Sequence, residues 1–170
     1  LEEARLYRHL NKITQIQKSP EYQKQVAQKD KDCPEYSVPL YNVAVNNKMD
    51  WLARGAFLNP FKTEYFVWLD AGFGHGKYTI APKSRLDLSE MINLLDEDRI
   101  FCLSLSDGMK EKDPLKYFQL NQDFAVGQLL IMKQSKVDEV YREYYKVVED
   151  MLAQGITDDD QYHLAILSTR

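Results

Sequence analysis

Residues 63–72 read TEYFVWLDAG, and this stretch decides the fold. An apolar, aromatic-rich run ends at Asp70, and small residues follow it. Such a run predicts a buried strand over residues 63–69 that carries a carboxylate to the edge of a sheet. Because ligands of open α/β sheets bind just outside the carboxyl ends of the strands, Asp70 is expected where a nucleotide or a metal-bound phosphate would lie. The alternative without a function is a capped turn.

The size and charge of the chain limit its class. Its 170 residues are 44% hydrophobic and 12% aromatic, which is enough for one sizeable core. With 22 basic and 26 acidic residues the net charge is −4, so we expect no nucleic acid partner and no anionic lipid surface. Cys33 and Cys102 match no metal-ligand spacing and are too few for a disulfide framework. This cysteine usage favours a reducing, cytoplasmic setting.

No transmembrane segment is predicted. The longest nearly apolar run, residues 124–132, contains Gly127 and Gln128 and is far shorter than the roughly 20 residues that span a bilayer. The chain opens at Leu1, inside a helical pattern and without an initiator methionine, and it stops at Arg170 just after another such pattern. We therefore expect it to be a piece of something longer.

The chain is predicted to begin with an amphipathic helix and a polar connection. Apolar residues spaced by three and four predict a helix that ends near residues 19–20. They are Leu6, Leu10, Ile13 and Ile16. Residues 21–37 have only scattered apolar positions and are predicted to be solvated, with or without a further helical turn. Residues 1–37 are thus expected to form a helical, solvated segment ahead of a core over residues 38–170.

An α-then-β order precedes Asp70. Residues 38–45 are expected to be extended. A helix is predicted over residues 47–58, with Asn47 as its N-cap and Asp50 three residues later. Asn59 and the proline after it end this helix before the strand begins. That order is typical of an α/β fold.

Further elements follow the glycine-rich loop. We predict a short helix over residues 86–95, a buried strand over residues 99–105 and a third strand over residues 124–132. Ser135 and Asp138 form a capping-box signal for a long helix.

The last helix follows that long one. Gly155 ends the long helix as the residue after its last turn. Thr157 with Asp160 is a second capping box, so the acidic run of residues 158–160 has a structural explanation in the helix dipole. Combined with Asp70, the run offers two carboxylate groups, one to hold a metal or phosphate-proximal group and one to act as base or orient a sugar hydroxyl.

The glycines after Asp70 do not form a dinucleotide-binding fingerprint. Glycine stands at positions 72, 74 and 76, but the pattern G-x-G-x-x-G needs glycine where Lys77 is found. A strand-like run follows instead of a helix, so these glycines are interpreted as a mobile loop near a ligand. His75 in this loop is either a metal ligand or simply exposed to solvent. Lys48, in the first turn of the 47–58 helix, is either a solvated lysine or a phosphate contact.

Several short runs resemble the bacterial HtrL/YibB family, and the most specific of them is NPFKTEYFVWLDAG. They are residues 41–43, Lys48, residues 59–61, residues 66–72, Gly127 and residues 159–161. That family is similar to GT-A enzymes, which use nucleotide sugars, and is associated with lipopolysaccharide or surface-glycan loci. The resemblance implies an α/β, GT-A-like core over residues 38–170, with a mixed sheet flanked by helices. It also implies truncation at the N-terminus, because residues 1–37 offer no apolar strand for the first βα unit of such enzymes.

The implied activity is that of a glycosyltransferase of the hexosyltransferase type. It would move a sugar from a nucleotide-diphosphate donor to a surface-glycan or lipopolysaccharide-type acceptor. By the resemblance, the catalytic group is Asp159, Asp160 and Gln161. The residues implied to bind the nucleotide sugar are Lys48, Asp70, Ala71, Gly72 and Gly127.

Asp70 corresponds to the first acid of the D-x-D signature that holds a divalent metal on the diphosphate. Gly72 stands where the second acid would be, although D-A-G is the form that this family shows. The expected cofactor is therefore manganese or magnesium, held by Asp70 and His75 and bound only together with the nucleotide. We expect Asp70 and at least one of Asp159 and Asp160 to face a common cleft.

Two other functions remain open from the sequence. A non-catalytic glycan- or nucleotide-binding module could keep the same fold without turnover. A phosphotransfer enzyme is disfavoured, because no second acid follows Asp70 two residues later.

Overall fold

The computed structural model describes residues 3–29, 32–73, 92–93, 95, 100–104, 113–119 and 125–168. Within these ranges it is an α/β structure in which one sheet packs with helices from both ends of the chain. His75 lies outside the described residues, and so does most of the helix predicted over residues 86–95.

The elements are numbered along the chain. The helices are α1 (Leu10–Lys18), α2 (Pro20–Val26), α3 (Pro39–Val45), α4 (Lys48–Leu58), α5 (Pro114–Gln119), α6 (Gln134–Ala153) and α7 (Asp160–Leu167). The strands are β1 (Tyr65–Leu69), β2 (Phe101–Ser104) and β3 (Ala125–Lys133). Short 3-10 helices cover Arg5–His9 and Pro34–Tyr36.

The sheet has the order β1-β3-β2, and both pairings are antiparallel. We expected a mixed sheet, and the described strands do not form one. All three strands predicted from apolar runs are confirmed. Leu69 pairs with Leu129, and the Asp70 amide donates to the Gln128 carbonyl at 2.9 Å. The carboxyl end of β1 therefore meets the beginning of β3, and Asp70 lies at that edge as predicted.

β1 is less buried than the sequence predicted. Val67 is 39% exposed and Leu69 is 55% exposed, whereas β3 is buried along most of its length. The reason is position, because β1 pairs with a neighbour on one side only in the described sheet and β3 pairs on both sides.

The solvated connection predicted after the first helix holds only in part, because most of its described side chains are exposed or partly exposed and the further helical turn left open there is α2. The first helix was confirmed as α1, but α2 follows at once and buries Tyr22 and Val26. Tyr22 also donates its hydroxyl hydrogen to the Thr157 carbonyl at 2.7 Å. These side chains belong to the same hydrophobic core as Leu130 and Met132 of β3. Among the described helices, none has both the length and the apolar character needed to cross a bilayer.

The prediction that residues 38–45 are extended was wrong, because α3 occupies most of them. Three valines gave this segment a strand-like composition. Pro39 instead takes the first helical position, where its missing N–H costs nothing, and Asn42 and Val43 are buried. Tertiary packing thus overrides local propensity here.

The long helices are confirmed, but their caps differ from the prediction. α4 begins after Asn47, whose side chain makes no capping bond. α6 begins directly after β3, so Ser135 lies inside the helix and forms no capping box. Its first amide, that of Gln134, donates to the Glu64 carbonyl at 2.8 Å, so the sheet takes the place of a cap. Gly155 does end α6, with a φ of 73° that suits glycine.

Candidate functional site

A cleft of about 360 Å³ opens where β1 ends, β3 begins and α7 begins. The sequence-predicted residues that line it are Lys48, Asp70, Gly127, Asp159, Asp160 and Gln161. The prediction that Asp70 shares a cleft with Asp159 or Asp160 is therefore confirmed. Ala71 and Gly72 are exposed and do not line the cleft. No structural statement covers His75, which lies outside the described part of the chain.

Lys48 lies at the centre of the cleft, between the two acids. Its ammonium nitrogen Nζ donates to Asp70 Oδ2 at 2.9 Å, to Asp160 Oδ2 at 2.9 Å and to the Gly127 carbonyl at 3.2 Å. Burial by itself would lower the pKa of Lys48, but the charges and hydrogen bonds of Asp160 and Asp70 outweigh it and raise that pKa. Lys48 therefore stays charged, and of the two alternatives above the solvated lysine is wrong.

Asp70 is held in place from two sides. Trp68 donates its indole hydrogen to Asp70 Oδ1 at 2.5 Å, while Lys48 contacts the other oxygen. Trp68 in turn stacks on Trp51 with ring centroids 5.8 Å apart and planes at 17°. Trp51 comes from α4 and is 44% exposed. The two tryptophans thus form an aromatic wall that also fixes the carboxylate.

Gly127 makes room for the Asp160 carboxylate. A Cβ atom on residue 127 would lie 1.5 Å from Asp160 Oδ2, far closer than two non-bonded atoms can approach. The resemblance pointed to Gly127 as part of the site, and the structure gives the physical reason for a glycine there. Burial raises the pKa of Asp160, and the Lys48 charge opposes that rise.

The acidic residues 158–160 have different contacts: one caps α7 and another contacts Lys48 in the cleft. Asp159, not Thr157, is the N-cap of α7, and its Oδ1 accepts from the Gln161 amide at 3.0 Å. Burial and the neighbouring Asp158 and Asp160 raise the pKa of Asp159 well above its usual range. Asp160 lies in the first helical turn and contacts Lys48.

Asp158 is turned away from the cleft, toward a lysine that the sequence analysis did not single out. It is completely buried, and its Oδ2 lies 3.8 Å from Lys29 Nζ. Lys29 Nζ also lies over the rings of Phe118, at 3.9 Å, and Tyr162, at 4.4 Å from the centroids. Nothing in a polar stretch of sequence indicates that this lysine would be buried.

A hydrogen-bonded turn at Asn46, between α3 and α4, holds the elements of the site together. Asn46 donates to the carbonyls of Asn42 and Asp158, each at 2.9 Å, and its side-chain oxygen accepts from the Tyr144 hydroxyl at 2.5 Å. The Tyr145 hydroxyl donates to the Asn46 carbonyl at 3.1 Å. This turn joins α3 to α4 and so fixes the start of the helix that carries Lys48. This turn was not predicted from the sequence.

The residues of the cleft do not fit a preformed divalent metal site. In the described ranges, no group of three or more His, Cys, Asp or Glu side chains is placed to hold a metal ion. The two carboxylates that converge, those of Asp70 and Asp160, already contact the Lys48 ammonium. A metal would have to take the position of that ammonium.

Comparisons with known proteins give a family and one relative. A family described as "Bacterial protein of unknown function (HtrL_YibB)" matches residues 1–169. The chain is similar to Protein HtrL of Escherichia coli (strain K12), with 23% identity over 154 residues that cover 89% of this chain and 52% of that protein. The chain thus spans about half the length of this curated relative. No solved structure matches.

Proposed function

This chain belongs to the HtrL/YibB family of bacterial proteins, and we propose that it is a glycosyltransferase that takes a sugar from a nucleotide-diphosphate donor. The observation that carries the proposal is the group formed by Lys48, Asp70 and Asp160 at the carboxyl end of a strand, in a cleft with an aromatic wall. Concave sites in which a few polar and charged groups converge are where ligands are expected to bind.

The cleft lining has the chemistry that sugars need. Trp51 offers an exposed ring face on which the apolar side of a sugar ring can pack, and Tyr41 lines the same cleft. Gln128 and Gln161 add amide groups that can donate to and accept from sugar hydroxyls. An aromatic lining with a few polar groups is typical of small-molecule sites.

The proposed reaction assigns roles to Asp160 and Lys48, which Asp70 helps to hold in place. The acceptor hydroxyl oxygen forms a bond to the anomeric carbon, while the bond from that carbon to the diphosphate breaks and the diphosphate leaves with the electron pair. The acceptor proton goes to a carboxylate. Asp160 suits this role, because burial raises its pKa and so makes its carboxylate a stronger base than an exposed one. Lys48, the one basic side chain among the described residues of the cleft, faces the negative charge of the departing diphosphate.

The wider setting is part of the same proposal. We propose that the described sheet and helices are a portion of a GT-A-like domain built around the acid at the end of β1. The acceptor would be a surface glycan or a lipopolysaccharide-type glycan, and the reaction would take place in the cytoplasm, where the free thiols of Cys33 and Cys102 are stable. No step requires the expected divalent metal.

The test is a panel of nucleotide sugars with release of the nucleoside diphosphate as readout. We expect the wild-type protein to hydrolyse at least one donor slowly without acceptor, and Asp70→Asn to lower that rate about 100-fold. The matched control is Asp138→Asn, which changes an exposed acid that pairs with Arg142 at 2.9 Å on α6. Wild-type turnover in Asp70→Asn would contradict the proposal that Lys48, Asp70 and Asp160 together form the active site.

A non-catalytic glycan- or nucleotide-binding module is the second candidate. The observation that favours it is the mutual pairing of Lys48 with Asp70 and Asp160, which leaves these charges satisfied without a substrate. Calorimetry on the same panel separates the two functions. Binding of a sugar nucleotide with no product after prolonged incubation would favour the module over the enzyme.

A further inference from the structure

We infer that the Lys48 ammonium is a built-in cation that fills the metal position between Asp70 and Asp160, so that the cleft works without a divalent metal. The use of the cleft for a sugar nucleotide rests on the proposed function, whereas the position of the cation rests on the structure alone. A variant that lacks the Lys48 ammonium should therefore bind a divalent cation at this position.

The ammonium joins three elements, as a bound metal ion would. A lysine ammonium has three hydrogens to donate, and Lys48 has three acceptors within 3.2 Å. These acceptors come from the end of β1, the beginning of β3 and the first turn of α7. All three donors are therefore in use, and the geometry of the cleft is set by them.

The surroundings resist replacement of the ammonium by a metal. A divalent ion beside Lys48 would meet a like charge in a buried position, where screening by water is weak. Asp70 also gives its second oxygen to the Trp68 indole, so it cannot turn toward a metal at another position without losing that bond. An ammonium and a divalent metal thus compete for the same oxygens.

The same oxygens would suit a metal once the ammonium is gone. Two carboxylate oxygens and one carbonyl oxygen surround a single point, and hard divalent cations prefer oxygen ligands of this kind. Without Lys48 the two carboxylates would also repel each other, which a divalent ion relieves. Lys48→Ala leaves the negative charges of Asp70 and Asp160 unpaired and opens the space that a divalent ion needs.

The experiment is a manganese titration of the full chain, followed by the electron paramagnetic resonance signal of free manganese. The proteins are the wild type, the single variants Lys48→Ala and Asp70→Asn, and the double variant that combines them. The matched control is Lys136→Ala, which removes a lysine that pairs with Glu139 at 3.1 Å on α6. We expect Lys48→Ala to bind manganese at least about tenfold more tightly than the wild type and Lys136→Ala. The double variant should lose this gain.

Two outcomes would overturn the inference. One is manganese binding by the wild type that Asp70→Asn abolishes, because the metal would then bind beside Lys48. The other is a Lys48→Ala protein that is folded by circular dichroism and binds manganese no better than the wild type. If Lys48→Ala does not fold, the comparison of the wild type with Asp70→Asn still tests the inference. Manganese binding that Asp70→Asn leaves unchanged does not involve the cleft, and this result supports the inference.

This titration needs neither nucleotide nor turnover, so its failure is distinct from failure of the proposed function. If the nucleotide-sugar panel identifies a donor, a second arm compares turnover with and without a chelator. We expect the same rate in both. A loss of about tenfold or more on chelation, restored by manganese, would overturn the inference while leaving the glycosyltransferase proposal intact.

Discussion

Two buried lysines contact the same short acidic run, and their surroundings differ. Lys29 Nζ lies 3.8 Å from Asp158 Oδ2 and donates to the Tyr162 hydroxyl at 2.9 Å, among aromatic rings. Lys48 contacts Asp160 inside an open cleft. Acids two positions apart therefore serve different purposes, one inside the fold and one at the candidate site.

The difference comes from where each acid lies relative to the start of α7. Asp158 precedes the helix and is directed into the core, while Asp160 is in the first helical turn and is directed at β3. Aromatic rings around Lys29 stabilise its charge, whereas the cleft opens beside Lys48. A charged pair thus becomes a candidate site only where its surroundings leave room for a ligand.

The largest expected effect is the loss of stability on substitution of Lys29. Lys29→Met should lower the free energy of unfolding by roughly 3 kcal/mol, because it leaves the fully buried Asp158 without its nearby cation. Urea titration measures the change. Lys136→Met, on an exposed pair, should cost less than about 0.5 kcal/mol. If Lys29→Met kept wild-type stability but lost donor binding, the contrast between the two lysines would be wrong.

The next prediction concerns the packing of Gly127 against Asp160. Gly127→Ala should cost about 2 kcal/mol and abolish donor turnover, because the new Cβ forces the Asp160 carboxylate away from Lys48. Gly55→Ala is the matched control, since nothing lies within 4 Å of its Cβ position and alanine favours a helix by about 1 kcal/mol over glycine. Retained turnover in Gly127→Ala would show that Asp160 need not contact Lys48.

The aromatic wall should show a smaller effect that is confined to binding. Trp51→Ala should weaken donor affinity about tenfold, because it removes the exposed ring of the stacked pair. Calorimetric titration measures this affinity. Phe57→Ala removes a 90% exposed ring from the same helix but outside the cleft and should leave the affinity unchanged. Equal effects of the two substitutions would remove Trp51 from the site.

The last prediction is a pH dependence at the cap of α7. Because burial raises the pKa of Asp159 in the folded protein, its stabilising contribution is complete below the ordinary value of 3.8 and is lost as pH rises through the raised value. Asp159→Asn keeps a capping side chain without the charge. We expect this variant to be more stable than the wild type at neutral pH, with the advantage vanishing toward pH 3.8. Denaturant titrations across that range would contradict this if the difference were constant.

Local patterns predicted the elements whose stability is local or whose apolar run is long. The runs around β1 and β3 and the spacing in α1, α4 and α6 were enough. α3 was missed because its valines resemble a strand, while the contacts that keep it helical are distant, such as the bond from Asn42 to Thr157 at 3.0 Å. The cap predicted at Thr157 failed by two residues because that residue is held by Asn42 and Tyr22.

The acidic residues of the candidate site were predicted from the sequence, but the side chains that hold them in place were not. An acid at the end of an apolar strand and an acidic run before a helix are visible in the sequence, and the structure brings them together. The burial of Lys48 and Lys29 is not visible, because it depends on partners 112 and 133 residues away. Trp68 was visible as an apolar residue of the strand, but its hydrogen bond to Asp70 depends on a side-chain orientation that no spacing reports.

These sequence separations have a kinetic meaning. Lys48 contacts Asp160, 112 residues later in the chain, and Lys29 contacts Tyr162, 133 residues later. The cleft therefore forms only after the N-terminal helices have packed against α7. Contacts of such length carry the loop-closure entropy that slows folding. We expect the contact between Lys48 and Asp160, and with it the complete cleft, to form late during refolding.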